Sequence, residues 1–313
     1  MLAYLGRRLI SSVFVMLMVA IFVFSLLYLT PGDPAAIIAG DQASPEVVDR
    51  IRQSLRLDEP YLVRFGGWLF QVAQGDLGTS IYTRQPIIDQ IAQRFGPTLS
   101  LMVMSMLLSV LIAIPLGVVA AWKQNSWIDR GVMIFSTLGF SIPVFVVGYL
   151  LAYFLGLKFK WFPVQGYAHL SAGVWPWMRH LVLPSIALGS AFIGLLARMT
   201  RAAMLQVLSQ DYVRTARAKG LGQRDILFHH ALKNAAVPIT TVVGLGIAGL
   251  ISGAVVTESV FALPGLGRMT ADAILRRDYP VIQSLILLFS LNYLIINLLV
   301  DLAYTLFDPR VRY

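Results

Sequence analysis

The chain contains no cysteine. Disulfide frameworks and thiolate metal centres are therefore excluded, and cysteine usage leaves the redox compartment undetermined. Charge is also scarce. Only 13% of the 313 residues are Asp, Glu, Lys or Arg, where a soluble chain holds about 25%. No GxxxxGK[ST] run occurs, so the chain has no loop of its own to cradle nucleotide phosphates. The four histidines, His169, His180, His229 and His230, show no metal-ligand spacing. His229 and His230 are adjacent and point to different sides of a helix, as surface residues do. No Ser/His/Asp arrangement can be assigned.

Hydrophobic residues are abundant, at 57% of the chain, with a mean hydropathy of +0.72. They gather into six apolar runs, Leu9–Leu29, Leu99–Ala121, Val132–Leu157, Leu181–Ala197, Val237–Val256 and Val281–Leu299. About 20 apolar residues suffice to cross a bilayer. The pattern predicts an all-α polytopic membrane protein with six transmembrane helices. The first run follows Arg7 and Arg8, and it is longer than the ~7–15 apolar residues of a secretory signal, so it reads as an uncleaved span. Pro115 and Gly117 are expected to kink the second span, and Ser141-Ile142-Pro143 to interrupt the third.

The division expected is residues 1–30 for the amino terminus and first span, 31–98 for an outer helical segment, and 99–313 for the core. Pro31-Gly32-Asp33-Pro34 stops the first helix, because neither proline can continue it. Ser44-Pro45 then opens a helix with proline in its first position. Three apolar stripes follow at helical spacing. The first is Val47, Val48, Ile51 and Leu55, the second Tyr61, Phe65, Trp68, Leu69 and Val72, and the third Ile87, Ile88, Ile91 and Phe95. A turn, Gly75-Asp76-Leu77-Gly78-Thr79-Ser80, lies between the second and third. The stripes predict three short amphipathic helices.

Net charge is +9. In a soluble chain such a balance would suggest nucleic acid; here the distribution explains it, and no nucleic acid is expected. With the amino terminus taken as cytoplasmic, the inner segments 1–8, 122–130, 198–237 and 306–313 hold 13 Lys or Arg. The short outer segments 158–180 and 258–280 hold 6. Basic residues favour cytoplasmic loops, which predicts both termini inside. Gly244-Leu245-Gly246-Ile247-Ala248-Gly249 matches GxGxxG, but it sits inside an apolar span, not after a strand, so close helix packing in lipid accounts for it. Polar residues within or beside the spans are candidates for a transport pathway: Glu258 at the outer end of the fifth span, Ser141 at the break in the third, and Asn292 and Asn297 in the sixth. Asn297 and Asp301 share a face, four residues apart.

One polar stretch stands apart in the second half, Asp211 to Pro238. Seven Lys or Arg lie between Arg198 and Lys233, against Asp211 and Asp225. Asp211 is expected to cap a helix, Thr215, Ala216 and Ala218 to give it a slim surface, and Gly220 to end it in a left-handed turn. Gln223 to Ala236 reads as a second helix with Ile226, Leu227, His230 and Leu232 toward one side. Spacing alone leaves two readings open, an ordinary basic loop or a docking element for a soluble partner.

The stretch DYVRTARAKGL, followed by HALKNA, resembles the cytoplasmic coupling loop, here residues 201–236, of ABC-importer permeases in the dipeptide, oligopeptide, glutathione and nickel family. In the general pattern, Glu-Ala-Ala, three residues, then Gly, Arg214 stands where the Glu would be. Thr215 and Ala216 take the Ala positions and Gly220 matches the Gly. The early PGDP, the GDLGTS turn, ESVFALPGLGR from Glu258 to Arg268 and RDYP from Arg277 to Pro280 resemble the same family. The likeness runs from residue 31 to about residue 310.

The resemblance implies the type I ABC-importer permease fold and a place in the bacterial inner membrane. It implies that Asp211, Tyr212, Arg214, Thr215 and Ala216 touch an ATPase subunit, with Arg217, Ala218, Lys219 and Gly220. It also implies a second permease subunit, two ATP-binding subunits that hold ATP and Mg, an external solute-binding protein, and membrane lipid around the spans. The chain itself would need no cofactor and perform no covalent chemistry. An intramembrane enzyme would need facing ionisable residues at membrane depth, which the spans scarcely offer. An ion-coupled secondary transporter would need buried acids near the midplane and inverted repeats.

Overall fold

A computed structural model describes residues 2–29, 33–40 and 43–307. Pro31 and Gly32, and the polar tail with Arg310 and Arg312, lie outside the described residues, as does the side chain of Asp301. Helix α1 spans Leu2–Leu29. The short α2, Pro34–Ala39, opens with Pro34 in its first position, and the Asp33 carboxylate accepts the Ala35 N–H at 3.2 Å. Helix α3 is Pro45–Ser54 and α4 is Tyr61–Ala73. Helix α5 runs from Ile87 to Trp122. The third amphipathic stripe is thus no separate helix; it is the first part of the second span. Pro97, which has no N–H to give, is carried inside α5, as is Pro115. Membrane helices tolerate such prolines because neighbouring groups answer the freed carbonyls.

Helix α6, Trp127–Ser141, meets the segment Val144–Lys158, which opens with helix α7, Val144–Leu151, at an angle of 103°. Ile142 precedes Pro143 and takes an extended ψ of 126°, the conformation the proline ring forces on its predecessor. The third apolar run is therefore sharply broken rather than merely interrupted. It continues as a π turn over Ala152–Lys158. Helix α8 is Val174–Leu208, α9 is Asp211–Ala218 and α10 is Gln223–Asp225. A π turn over Ile226–Leu232 joins α10 to α11, Lys233–Val260. Helix α12 is Leu266–Leu275 and α13 is Tyr279–Phe307. Among the described residues, five helices are long and apolar enough to cross a membrane, or six if the broken pair counts as one.

The described residues form two compact units, one built on residues 2–95 and 269–295, the other on 96–268 and 296–307. In the first, Phe24 of α1 packs edge-on against Tyr61 and Phe65 of α4, with ring centroids 5.4 Å apart in both pairs, and tilted against Trp68 at 5.2 Å. The predicted stripe of α4 is thereby used as packing. Arg64 is buried in the same cluster, its guanidinium over the Phe24 and Tyr28 rings and donating to the Tyr28 hydroxyl. Such cation–π contacts partly offset the desolvation of a charge. In this unit Asp278 is also buried. It accepts the Ser80 hydroxyl at 2.5 Å and the Ile81 N–H at 3.2 Å, which fixes the GDLGTS turn to the start of α13.

In the second unit, α8 is the central helix, packed against α6, α7 and α11. One cluster of buried residues joins Val118 of α5, Phe192, Leu196 and Met204 of α8, and Leu227 and Ala231 of the π turn. Another joins Leu101, Ala152, Leu188, Ala254 and Phe261. A β-carbon on Gly246 would fall 2.0 Å from the Phe192 ring, and one on Gly253 would fall 2.6 Å from Leu188. The GxGxxG match is accordingly a helix-packing face at Gly246. Gly249 faces open space.

Candidate functional site

The short helix α9 hangs between two long membrane helices. Gln210, not Asp211, occupies its N-cap, and no side chain accepts a capping bond there. Asp211 is the first helical residue, where its negative charge still favours the positive end of the helix dipole. The cap expected at Asp211 is corrected in this sense: the turn after Ser209 delivers Gln210 to the extended conformation one residue earlier. Val213 and Ala216, three apart, are buried and seat the helix on the Ile226–Leu232 turn.

The rest of α9 faces outward. Tyr212, Arg214, Thr215, Arg217, Ala218 and Lys219 are exposed. The slim surface expected from Thr215, Ala216 and Ala218 is thus divided, with Ala216 alone turned inward. Arg214 lies 3.5 Å from Asp211, a solvated i,i+3 pair of little energetic weight. The net result is a small cationic face with one aromatic ring. Gly220 ends the helix at φ +77°. Its N–H donates to the Arg217 carbonyl at 3.0 Å, and the Leu221 N–H donates to the Ala216 carbonyl at 3.3 Å. These two bonds are the paired closure of a Schellman motif, which needs a left-handed residue at this position.

Beyond Gly222 the chain does not form a separate second helix that stops at Ala236. It runs helically from Gln223 through the π turn and Pro238 to Val260. Ile226 and Leu227 are buried as expected, and His230 and Leu232 are half-buried. The surface element and the fifth span are one rod.

A residue pair that sequence reasoning missed braces this region. Asp129, almost fully buried, receives Arg201 through two bonds, Nε to Oδ1 at 2.5 Å and Nη2 to Oδ2 at 2.7 Å. The Asn125 N–H adds a third bond at 2.9 Å, and Asn125 itself turns at φ +64°. The pair ties the first turn of α6, and through Asn125 the loop before it, to the last part of α8, shortly before α9 begins. Two signals pointed to it: Ser126-x-x-Asp129, a helix-capping spacing, and Arg201 as a cation in the helix that continues an apolar run.

The pathway candidates lie in separate settings. Glu258 is fully buried. It accepts the Thr98 hydroxyl at 2.6 Å and the Arg268 N–H at 2.9 Å, while Thr98 accepts the Leu266 N–H at 2.8 Å. The carboxylate and Thr98 together thereby pin the first turn of α12, and with it the loop that follows α11, to α5. Ser141 is exposed at the sharp break between α6 and α7, and Asn292 and Asn297 are half-buried on α13.

Long apolar helices together with a short, exposed, basic helix closed by a Schellman turn have the make-up of a transport protein's membrane subunit. Residues 113–313 match the family described as binding-protein-dependent transport system inner membrane component, and residues 1–102 match its amino-terminal component. A probable peptide ABC transporter permease of Sinorhizobium fredii is 52% identical, with 99% of both chains covered. A glutathione transport system permease of Salmonella choleraesuis is 43% identical and a dipeptide transport system permease of Alkalihalophilus pseudofirmus 40% identical, each over 100% of both chains. An inward-facing structure of the MetNI methionine ABC transporter matches with a TM-score of 0.60 at 18% identity, over 72% of this chain and 99% of that one.

The chain belongs to the binding-protein-dependent transport system inner membrane component family, with the type I ABC permease fold. It is a transport component and not an enzyme. Membership implies an ATP-binding partner and places the chain in the inner membrane.

Proposed function

We propose that this chain is a permease subunit that moves dipeptides or oligopeptides inward, driven by ATP hydrolysis in two partner ATPase subunits, which hold the ATP and Mg. A second permease subunit completes the pathway, and an external solute-binding protein delivers the substrate. The observation that carries this reading is α9: an exposed cationic face, closed by Gly220 and continuous with a membrane-crossing rod. Closure of the ATPase pair would move α9, and the rod would carry that movement into the span. Residues 31–98 would cover the outer side. The peptide relatives support the substrate class. Glutathione, itself a tripeptide, is the second reading, supported by the relative named for it. Glu258, Ser141, Asn292 and Asn297 stay candidates for the pathway, with Glu258 acting through the loop it holds.

The test is uptake of labelled dipeptide and labelled glutathione into proteoliposomes holding the full transporter and its binding protein. ATP-dependent dipeptide uptake is expected, and the isolated chain should turn over no ATP. Robust ATP turnover by the chain alone, or uptake driven by an ion gradient without ATP, would count against the assignment.

The basic-residue asymmetry supports a cytoplasmic position for α9 and both termini. Reporter fusions after Gln124, Gln223 and Arg310 should read inside, and fusions after Gly75 and Trp175 outside. A fusion after Gln223 that reads outside would remove α9 from any cytoplasmic ATPase.

A further inference from the structure

A cavity of about 370 Å³ opens at the amino-terminal end of α8, and its lining includes Lys160, Phe162, Trp175, Pro176, Arg179 and His180. No acidic side chain lines it, and none occurs anywhere from Lys158 to His180. We propose that this cavity binds the phosphate headgroup of an acidic phospholipid. The proposal rests on the chain being embedded in a membrane and not on what it transports.

The cationic groups are arranged rather than scattered. Arg179 donates through Nη2 to the Trp161 carbonyl at 3.0 Å, which orients the guanidinium and leaves its other donors for a ligand. The His180 ring is set by a 2.8 Å contact of Nδ1 with the Pro176 carbonyl, leaving Nε2 as the remaining polar ring atom. Lys160 holds a left-handed φ of 56°, a conformation that strains a residue with a β-carbon. The backbone around it is pinned: the Phe159 N–H bonds the Phe154 carbonyl and the Trp161 N–H bonds the Leu155 carbonyl, both at 2.9 Å. Lys160 is thus the left-handed residue that closes the Ala152–Lys158 turn, and this closure fixes its backbone beside the cavity. Gly173, the N-cap of α8, carries no capping side chain, so the positive end of a 35-residue helix faces the same region.

The surroundings select the source of the phosphate. Phe159 and Trp161 stack with centroids 5.4 Å apart, and both they and Trp175 are more than half-exposed or nearly so, at 50%, 60% and 66%. Exposed aromatic rings beside basic groups at the ends of membrane helices mark the headgroup layer. Free phosphate would use the cations and ignore the rings; a phospholipid uses both, with its acyl chains against the aromatic rim.

The experiment uses the assembled transporter, purified from nanodiscs of phosphatidylcholine containing phosphatidylglycerol, with bound lipid counted by native mass spectrometry. Wild type is expected to retain phosphatidylglycerol through delipidation that strips phosphatidylcholine. Lys160→Gln with Arg179→Gln should reduce that retention at least tenfold, Lys160→Arg should preserve it, and millimolar inorganic phosphate should not displace it. If the double variant fails to assemble, Lys160→Gln alone decides the matter, since Lys160 is exposed and makes no side-chain hydrogen bond among the described residues; it should cut retention about threefold. Unchanged retention in the variants, equal retention of phosphatidylcholine, or displacement by inorganic phosphate would overturn the proposal. So would unchanged lipid with lost affinity for the solute-binding protein, which would make the cavity a protein docking surface.

Discussion

Arg201→Gln should destabilise the protein by about 3 kcal/mol, the usual scale for removing one partner of a buried ion pair. The effect follows from which charge is left behind. Asp129 keeps only 5% of its side chain exposed, against 21% for Arg201. Without the guanidinium, a carboxylate stays in a place where water barely reaches, with the Asn125 N–H as its main remaining support. Asp129→Asn should cost less, because the stranded Arg201 can turn toward solvent. The double variant Arg201→Gln with Asp129→Asn should recover more than half of the loss, since neither charge is then unmatched. Thermal unfolding of the purified transporter reads all three. An Arg201→Gln protein that melts with wild type would show that the pair is ornamental to folding, and its link to α9 would fall with it.

Gly220→Asp should insert in the membrane at near-normal levels yet lose at least nine-tenths of uptake. Space is not the reason: a β-carbon at Gly220 would meet nothing within 4 Å. The backbone is. At φ +77° a residue with a β-carbon is strained by roughly 1–2 kcal/mol, and relief comes from opening the turn held by the Gly220 and Leu221 N–H groups. That moves α9 relative to the rod. The aspartate also places negative charge beside Arg217 and Lys219. Gly220→Ala carries the strain without the charge and should keep partial uptake. Uptake in vesicles, measured beside co-purification of the ATPase subunits, separates the two effects. Full uptake by Gly220→Asp would return α9 to the status of a solvated basic loop.

Much of this was legible because its causes are local. Apolar runs marked the membrane helices, and Gly220 announced its turn since few other residues hold a positive φ. The break before Pro143 was visible for the same reason, although its 103° angle depends on what α6 and α7 pack against. The stripe from Ile87 to Phe95 was read as a helix of its own because the apolar run begins only at Leu99; within lipid, a helix has no better partner for its backbone than itself, and α5 carries Pro97 inside it. The polar ties were least legible. Ser80 meets Asp278 across 198 residues and Thr98 meets Glu258 across 160. Nothing local to either partner names the other; only closure of the fold selects it.

The fit of Gly246 against Phe192 limits how the rod from Gln223 to Val260 can move. A π turn holds its hydrogen bonds one residue wider than an α turn. Were the Ile226–Leu232 turn to tighten, everything beyond it would revolve by about 100° and advance about 1.5 Å. Such a twist would bring Leu245 or Ile247 to the place where even one methyl group on Gly246 would sit 2.0 Å from the ring. The rod is keyed. While Phe192 holds its place, the rod could rock about that point but not spin, so a push on α9 would reach the far end of the membrane helix as a tilt.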